Sequence, residues 1–335
     1  MSKRALVFGV TGQDGAYLSH LLLKKGYEVH GTSRDVEVAT LSRLEQLGVI
    51  GQVQLHSANL TDYRGILELL TRVAPDEIYN LSAQSSVGLS FDQPIETLTS
   101  IVNATLNLLE AIRFLGGKSR LYNASSSEMY GDTGGQRADE TLLFRPHSPY
   151  GVSKAAAHWL VENYRKGYGL YACSGILFNH ESPLRSERFV TQKIVRAAVD
   201  ISRGAAKRLS LGNLDIVRDW GWAPEYVEGM WLMLQQDQPR DFVLATGKPL
   251  SLREFTRIAF DLVGLDWVDH VDHNSSLLRP YDVNFTVGNP AYAKQQLGWE
   301  PLISAPLLIE KLVSAELSRC NSHVTTSGTA IESLF

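Results

Sequence analysis

The feature that most constrains this chain is a glycine turn set between a strand-like run and a helical pattern. Residues 4–9 read Arg-Ala-Leu-Val-Phe-Gly, a short apolar run of the kind that fills a buried strand. Gly9, Gly12 and Gly15 follow in Gly9-Val-Thr-Gly-Gln-Asp-Gly15, and Tyr17, Leu18, Leu21, Leu22 and Leu23 then open a helical pattern. In this context the glycines let the backbone bend tightly and approach a dinucleotide's pyrophosphate, which sits at the helix N-terminus. The spacing is G-x-x-G-x-x-G rather than G-x-G-x-x-G. An ordinary strand-to-helix turn is the bland alternative, and it weakens as further signals accumulate downstream.

The next strand-like run, residues 27–30, leads into Gly31-Thr-Ser-Arg34. NAD enzymes usually carry an acid near this point, which holds the ribose 2′-hydroxyl. Here Ser33 and Arg34 stand instead, and a guanidinium can engage a 2′-phosphate in a fork. This favours NADP over NAD, against the reading of a surface arginine followed by Asp35.

Strand and helix signals keep alternating. Residues 52–56, 77–81, 120–124 and 171–178 read as strands, and residues 63–73, 101–115 and 150–168 as helices, the first capped by Thr61 or Asp62. Such alternation predicts an α/β fold with a Rossmann-type doubly wound parallel sheet. Beyond Asn179, prolines punctuate shorter elements, with helical stretches at 191–203, 224–234, 252–263 and 290–297. We expect a mainly cofactor-binding domain over 1–178 and a smaller, interleaved substrate-binding part over 179–320. The small polar residues of 321–335 read as a frayed tail.

Composition excludes several classes. The 335 residues suit about two domains of ~150 residues each. The net charge of −4 offers no basic footprint for nucleic acid. No apolar stretch approaches the ~20 residues of a membrane helix, and glycine interrupts the N-terminal apolar run before it could form a signal peptide. Two cysteines, Cys173 and Cys320, cannot build a disulfide framework, which favours a reduced, cytoplasmic protein. Cys173 lies in the apolar run 170–178 and reads as a buried structural thiol. No cluster has metal-ligand spacing: His180-Glu-Ser-Pro183 lacks the second histidine of a zinc helix. No G-x-S-x-G nucleophile elbow is present either.

The chemistry concentrates between residues 125 and 154. Tyr150 and Lys154 are four positions apart (154 − 150 = 4), so a helix puts them on one face. A lysine charge beside a phenol lowers its pKa, which makes Tyr150 a candidate base for a sugar hydroxyl. Upstream stands Ser125-Ser-Ser-Glu128. Side chains on a strand alternate with period two, so Glu128 is expected on the same face as Ser126. A surface glutamate is the alternative.

These residues together resemble the extended short-chain dehydrogenase/reductases that modify nucleotide sugars, and within them the GDP-mannose 4,6-dehydratase family. The resemblance runs from about residue 4 to about 315. It rests on the glycine turn, Asn80-Leu-Ser-Ala-Gln-Ser85, Ser125-Ser-Ser-Glu-Met-Tyr-Gly131 and Ser148-Pro-Tyr-Gly-Val-Ser-Lys154. Downstream it adds Gly175-Ile-Leu-Phe-Asn-His-Glu-Ser-Pro183, Leu211-Gly-Asn-Leu-Asp215, Arg218-Asp-Trp-Gly221 and Tyr226-Val-Glu-Gly-Met-Trp231. The glycine turn and the Tyr/Lys pair are shared across the superfamily. Asn179-His-Glu-Ser-Pro183 and Arg218-Asp-Trp-Gly221 are far more specific.

The resemblance implies an internal redox dehydration of GDP-mannose to GDP-4-keto-6-deoxymannose, with Ser126, Glu128, Tyr150 and Lys154 as catalytic residues. It places the cofactor on Gly9, Thr11, Gly12, Gln13, Asp14 and Gly15, on Ser33 and Arg34, and on Asn59 and Leu60. Leu81, Ala83, Gln84 and Leu177 join these, as do Asn179, His180 and Arg185 with Tyr150 and Lys154. It places the nucleotide sugar on Ser85, Ser126, Glu128, Asn179, Lys193, Asn213, Arg218 and Arg279. Two phosphates want two or more cations, and arginine gives bidentate contacts. A structural Arg218–Asp219 salt bridge is the alternative. A homodimer or homotetramer is implied, through helices at 101–115 and 150–168, where Leu106, Leu108, Leu109 and Trp159 fit either an interface or a core.

Three positions depart from the family's pattern. Ser126 stands where threonine is usual and keeps the hydroxyl. Asp35-Val-Glu-Val-Ala-Thr40 replaces an arginine- and serine-rich segment that reaches a neighbouring subunit's cofactor. Asn59 replaces an aspartate and can still pair with an adenine amino group. The sequence leaves open a 4,6-dehydratase of GDP-heptose or another NDP-hexose, and a 4-epimerase or 4-reductase, against which Glu128 argues. A non-catalytic cofactor-binding subunit need not keep all four catalytic residues.

Overall fold

The computed structural model describes residues 2–322 and Leu334. The expected tail thus lies outside the described residues except for Asn321, Ser322 and Leu334. The chain begins β1 (Arg4–Phe8), α1 (Gln13–Lys24), β2 (Glu28–Ser33), α2 (Ser42–Gln46), β3 (Gln54–Ser57), α3 (Tyr63–Val73) and β4 (Glu77–Asn80). Two short helices, α4 (Val87–Asp92) and α5 (Pro94–Leu98), precede a π-turn at Thr99–Asn103 that feeds α6 (Ala104–Phe114). Then come β5 (Arg120–Ser126), β6 (Arg137–Ala138), α7 (Pro149–Tyr168), β7 (Ala172–Leu177) and β8 (Asn179–Glu181). The remainder runs α8 (Val190–Ser202), β9 (Leu209–Leu211), β10 (Val217–Trp222), α9 (Ala223–Leu234), β11 (Phe242–Leu244) and β12 (Pro249–Ser251). It closes with α10 (Leu252–Asp261), β13 (Val271–His273), β14 (Phe285–Gly288), α11 (Ala291–Leu297) and α12 (Ala305–Ser322).

Seven parallel strands form the large sheet in the order β11-β7-β5-β4-β1-β2-β3. Both faces are covered, which is why the strands read as near-continuous apolar runs. Strand alternation distributes β1 between the two faces. Leu6 and Phe8 pack with Ile66 of α3 and Leu108 and Ile112 of α6. Ala5 and Val7 join Ala16, Leu18 and Leu22 of α1 and Met230 of α9. The strand order reverses between β1 and β4, which opens a crevice at the C-terminal ends of the strands, where ligands of doubly wound folds bind.

The second half builds a smaller sheet around β10, with β12 antiparallel and β14 and β8 parallel to it. Helices α8, α10 and α12 cover it with Ile194, Val195, Phe255, Phe260, Leu308 and Ile309. The two sheets exchange strands: β6, from the first half, pairs with β14, and β11, from the second, extends the large sheet beside β7. This exchange pins the two halves together and sets the crevice between them. The helix expected over 101–115 begins one turn later, behind the π-turn. Helices α2, α4, α5 and α12 were not anticipated.

Candidate active site

The glycine turn fits a close backbone approach. Gly9 adopts φ +84°, and a Cβ there would lie 3.0 Å from the Leu81 backbone. A Cβ on Gly15 would fall 2.3 Å from the Gly9 carbonyl oxygen, so only glycine lets α1 start against the turn. The side chain of Gln13 is turned inward. Its amide donates to the Asp14 carboxylate at 3.0 Å and the His180 carbonyl at 3.2 Å, and its oxygen accepts from the Ser182 hydroxyl at 2.7 Å. These contacts occupy both amide hydrogens of Gln13. Beside it, His180 Nε2 meets Asp14 Oδ2 at 3.0 Å, and Nδ1 meets the Phe178 carbonyl at 2.7 Å. Burial opposes the charge on Asp14, but His180, with Arg185, outweighs it and holds the carboxyl at about 2. Burial likewise opposes a charged His180, and Asp14 reverses the sign, so the imidazole is raised above its ordinary range.

Helix α7 presents the reactive pair. Ser148 caps it, its hydroxyl accepting from the Gly151 N–H at 3.0 Å, Pro149 fits the first turn, and Gly169 at φ 70° ends it. Tyr150 and Lys154 are both only 8% exposed. The Lys154 ammonium donates to the Ala124 carbonyl at 2.7 Å and stands 5.7 Å from the centre of the Tyr150 ring. The expected lowering of the phenol's pKa does not hold here. Burial dominates and pushes Tyr150 up to about 12, with a hydrogen bond from Ser126 working against it and the charge of Glu128 adding to it. Burial also takes Lys154 down to about 8.

The strand argument for Glu128 also needs correction. Strand β5 ends at Ser126, and Ser127–Met129 form a 3₁₀ turn. The Ser126 hydroxyl caps that turn by accepting from the Glu128 N–H at 3.3 Å. The turn, not strand alternation, brings Glu128 to the crevice.

The smaller sheet supplies cations. Arg218 of β10 is 4% exposed and makes one protein hydrogen bond among the described residues, to the Val217 carbonyl at 3.0 Å. It forms no salt bridge with Asp219. Successive strand residues point to opposite faces, and Asp219 instead accepts from Thr246 N and Oγ1 at 2.8 and 2.7 Å and from Gly247 N at 2.8 Å. Burial depresses the Arg218 guanidinium, Glu128 favours it, and Arg279 opposes it. Arg279 stands 3.5 Å from Asp282. Lys193 donates to the Ser210 carbonyl at 2.7 Å, and Asn213 accepts from the Asp215 N–H at 2.9 Å.

One cleft of about 400 Å³ unites most of these groups. Ser126, Glu128, Tyr150 and Lys154 line it with Asp14, Leu81, Ala83, Ser85, Leu177, Asn179, His180, Arg185, Lys193, Asn213, Arg218 and Arg279. Gly9, Thr11, Gly12, Gln13 and Gly15 lie outside its lining, at the end of β1. Ser33 and exposed Arg34 follow from β2, and Asn59 and Leu60 from β3, along the same C-terminal sheet edge. Asn59 caps the Thr61 N–H at 3.1 Å, and the Leu60 side chain is in the core. The Gln84 amide donates to the Ser86 carbonyl and the Thr97 hydroxyl. Sequence reasoning missed Glu181, Arg188 and Trp220 in the cleft wall. It also missed Arg43, which donates to the Thr11 and Leu184 carbonyls at 2.9 and 2.7 Å and ties the glycine turn to the loop after β8. Glu181 and Trp220 lie inside the Asn179–Pro183 and Arg218–Gly221 stretches, where the expected ligand contacts fall on their neighbours, and nothing local marks Arg43.

A doubly wound sheet with a glycine turn at β1 and a tyrosine–lysine pair beside its switch point defines a Rossmann-type enzyme of the extended short-chain dehydrogenase/reductase class. The chain belongs to the GDP-mannose 4,6-dehydratase family, whose family model matches residues 6–312. It is 46% identical over 325 residues to GDP-mannose 4,6 dehydratase 1 of Arabidopsis thaliana, covering 94% of this chain and 90% of that protein. A GDP-mannose 4,6-dehydratase of Vibrio cholerae is 43% identical over 355 residues, covering 96% and 95%. Among solved structures, the NAD complex of the Thermus thermophilus UDP-glucose 4-epimerase superposes with a TM-score of 0.83 at 25% identity, covering 94% of this chain and 99% of that one.

Proposed function

We propose that this protein is a GDP-mannose 4,6-dehydratase that converts GDP-mannose to GDP-4-keto-6-deoxymannose with loss of water, with NADP as its cofactor. The observation that carries the reading is one cleft in which Tyr150, Lys154, Ser126 and Glu128 face a buried guanidinium, Arg218, that has no carboxylate partner among the described residues. A sugar diphosphate supplies both the hydroxyl for the first set and the anion for the second.

The residues suit a dinucleotide. A Cβ would fill the cradle at Gly15, and the N-terminus of α1 offers N–H groups to a pyrophosphate. In this reading Gly9, Thr11, Gly12, Gln13, Asp14 and Gly15 hold the pyrophosphate. Ser33 and Arg34, which forms no salt bridge among the described residues, hold the 2′-phosphate, and Asn59 and Leu60 flank the adenine. Leu81, Ala83, Gln84, Leu177, Asn179, His180 and Arg185 line the rest of the path. A bound nicotinamide would supply a reversible hydride acceptor beside the sugar, which leaves dehydration as the net reaction.

Tyr150 takes the proton of the sugar 4-hydroxyl, and Ser126 shares the hydrogen bond on that oxygen. Lys154 stays cationic beside the phenol and the Ala124 carbonyl. The resulting 4-ketone acidifies the C5 proton, which Glu128 removes before protonating the departing 6-hydroxyl. Arg218, Arg279 and Lys193 hold the diphosphate, with Ser85, Asn179 and Asn213 around the rest of the substrate. No helix among the described residues is long and apolar enough to cross a membrane, which accords with action in the cytoplasm. We also infer a homo-oligomer. Leu108 and Leu109 are core, but Phe114, Val152, Trp159 and Tyr168 of α6 and α7 are exposed and apolar, which supports association through these helices.

The test mixes the purified protein with NADP⁺ and GDP-mannose and follows the sugar nucleotide by mass spectrometry. Loss of one water without net NADPH is expected. Isomerised or reduced sugar without water loss would overturn the reading, and water loss only from another NDP-sugar would move the substrate.

A further inference from the structure

Helix α7 carries a third polar residue that the proposed chemistry does not use. His158 follows Lys154 by four positions as Lys154 follows Tyr150, so the three share one helix face. That face meets three consecutive residues at the end of β5. Tyr150 and Ser126 line the same cleft, Lys154 donates to the Ala124 carbonyl at 2.7 Å, and His158 Nδ1 lies 3.2 Å from the Ser125 hydroxyl. His158 is 5% exposed and Ser125 is 2% exposed. Phe144 and Trp159 stand edge-on to the imidazole at 5.0 and 5.6 Å.

The trio Ser125, His158 and Asp241 has the residue types of a hydrolytic triad, but the geometry rejects that role. His158 Nε2 is 3.8 Å from Asp241 Oδ2, too long for a hydrogen bond. Both Asp241 oxygens are committed to Arg165, at 2.8 and 2.6 Å, and Oδ1 also accepts from the Ser174 N–H at 2.6 Å. Asp241 therefore does not hold the imidazole through a hydrogen bond as a triad acid does. Burial holds His158 below its ordinary range, with Asp241 and Glu162 opposing that and Arg165 reinforcing it. The neutral ring thus has one polar contact here, and it falls between the two residues that hold Tyr150 and Lys154.

We propose that His158 is a positioning residue. Through Ser125 it fixes the end of β5 against α7, and so sets the distances from Lys154 to the Ala124 carbonyl and from Tyr150 to Ser126. The effect on turnover rests on the dehydratase reading, so one readout is independent of activity.

The variants are Ser125→Ala, His158→Leu and His158→Asn, each assayed for dehydration of GDP-mannose, for NADPH affinity by fluorescence titration, and for acetic anhydride labelling of Lys154 by peptide mass mapping. Ser125→Ala and His158→Leu are expected to lower kcat about fivefold, the worth of one buried hydrogen bond, with KM and NADPH affinity within about twofold. Lys154 should label several-fold faster in both. His158→Asn, whose amide can occupy the Nδ1 position, should restore kcat and Lys154 protection. Should His158→Leu fail to fold, Ser125→Ala breaks the same contact from the strand side. Unchanged kcat and labelling in Ser125→Ala, or an Asn variant no better than Leu, would overturn the proposal. Inactivity of the parent protein would sink the dehydratase reading alone, and the labelling rates would still decide the role of His158.

Discussion

Arg218 lets stability and function be separated by a single substitution. Its guanidinium is buried in the cleft wall, holds one backbone carbonyl, and has no carboxylate at ion-pair distance among the described residues. Burying such a charge is unfavourable unless a partner compensates it. Arg218→Met keeps most of the volume and removes the charge. The ligand-free protein should gain about 1 kcal/mol, a rise in Tm of about 1.5 °C for a chain of this size. Substrate binding should move the other way. Losing hydrogen bonds from a charged group costs about 1.5–3 kcal/mol, so KM for GDP-mannose should rise roughly 10- to 150-fold. Differential scanning calorimetry of the ligand-free protein and steady-state kinetics read the two effects. A lower Tm with unchanged KM would refute the reasoning and make Arg218 a structural partner of Glu128.

Glu128→Gln should lower water loss at least ~100-fold while leaving transient cofactor reduction visible by stopped-flow absorbance, because only the C5 proton and the 6-hydroxyl lose their acid–base group. Gly15→Ala should abolish NADPH fluorescence enhancement and cost about 1–3 kcal/mol in chemical denaturation, since its Cβ would meet the Gly9 carbonyl at 2.3 Å. Asp219→Asn should destabilise by about 2–5 kcal/mol, because one amide nitrogen would face backbone N–H donors of Thr246 or Gly247, each left buried and unsatisfied. Arg34→Ala should raise KM for NADP⁺ about tenfold and leave KM for NAD⁺ unchanged, as measured by initial rates with each cofactor.

The parts of the site that local chemistry fixes were legible in the sequence. Gly9 and Gly15 are required by a positive φ and a close approach, Ser148-Pro149 and Gly169 bound α7, and Tyr150 and Lys154 share its face. Arg218 and Asp219 were not separable in sequence, because opposite charges side by side suggest a pair. Only the strand assignment shows that they point apart. Glu128 was chosen for the wrong reason, since the end of β5 at Ser126 depends on a hydroxyl cap invisible to periodicity. Helices α4 and α5 are short and contain Gly88 and Pro94, which weaken any helical signal. Pro306 similarly masked the start of α12. Arg43 and His158 act across long sequence separations, and no local pattern reveals such contacts.

The charges around Tyr150 connect these observations. Burial is the largest influence on both groups, leaving the phenol at about 12 and the Lys154 ammonium at about 8, so in the ligand-free protein both are mostly protonated at neutral pH and Tyr150 accepts the 4-hydroxyl proton only from its minor phenolate form. Lys154, held by the Ala124 carbonyl 5.7 Å from the centre of the phenol ring, is a mostly charged neighbour and not the acceptor of the phenol's proton. Two carboxylates, Glu128 and Asp14, add to the effect of burial on the phenol, while Ser126 and Arg185 work against it. Each carboxylate has a cation at hand: His180 meets Asp14 directly, and Arg218 feels Glu128. In the proposed reading the diphosphate site and the proton chemistry thus share one charge, Arg218. Its removal by Met leaves Glu128 less compensated and the phenol harder to ionise. The Arg218→Met enzyme should then show the acid limb of its kcat–pH profile displaced to higher pH at saturating substrate, an effect that loss of substrate affinity alone does not produce.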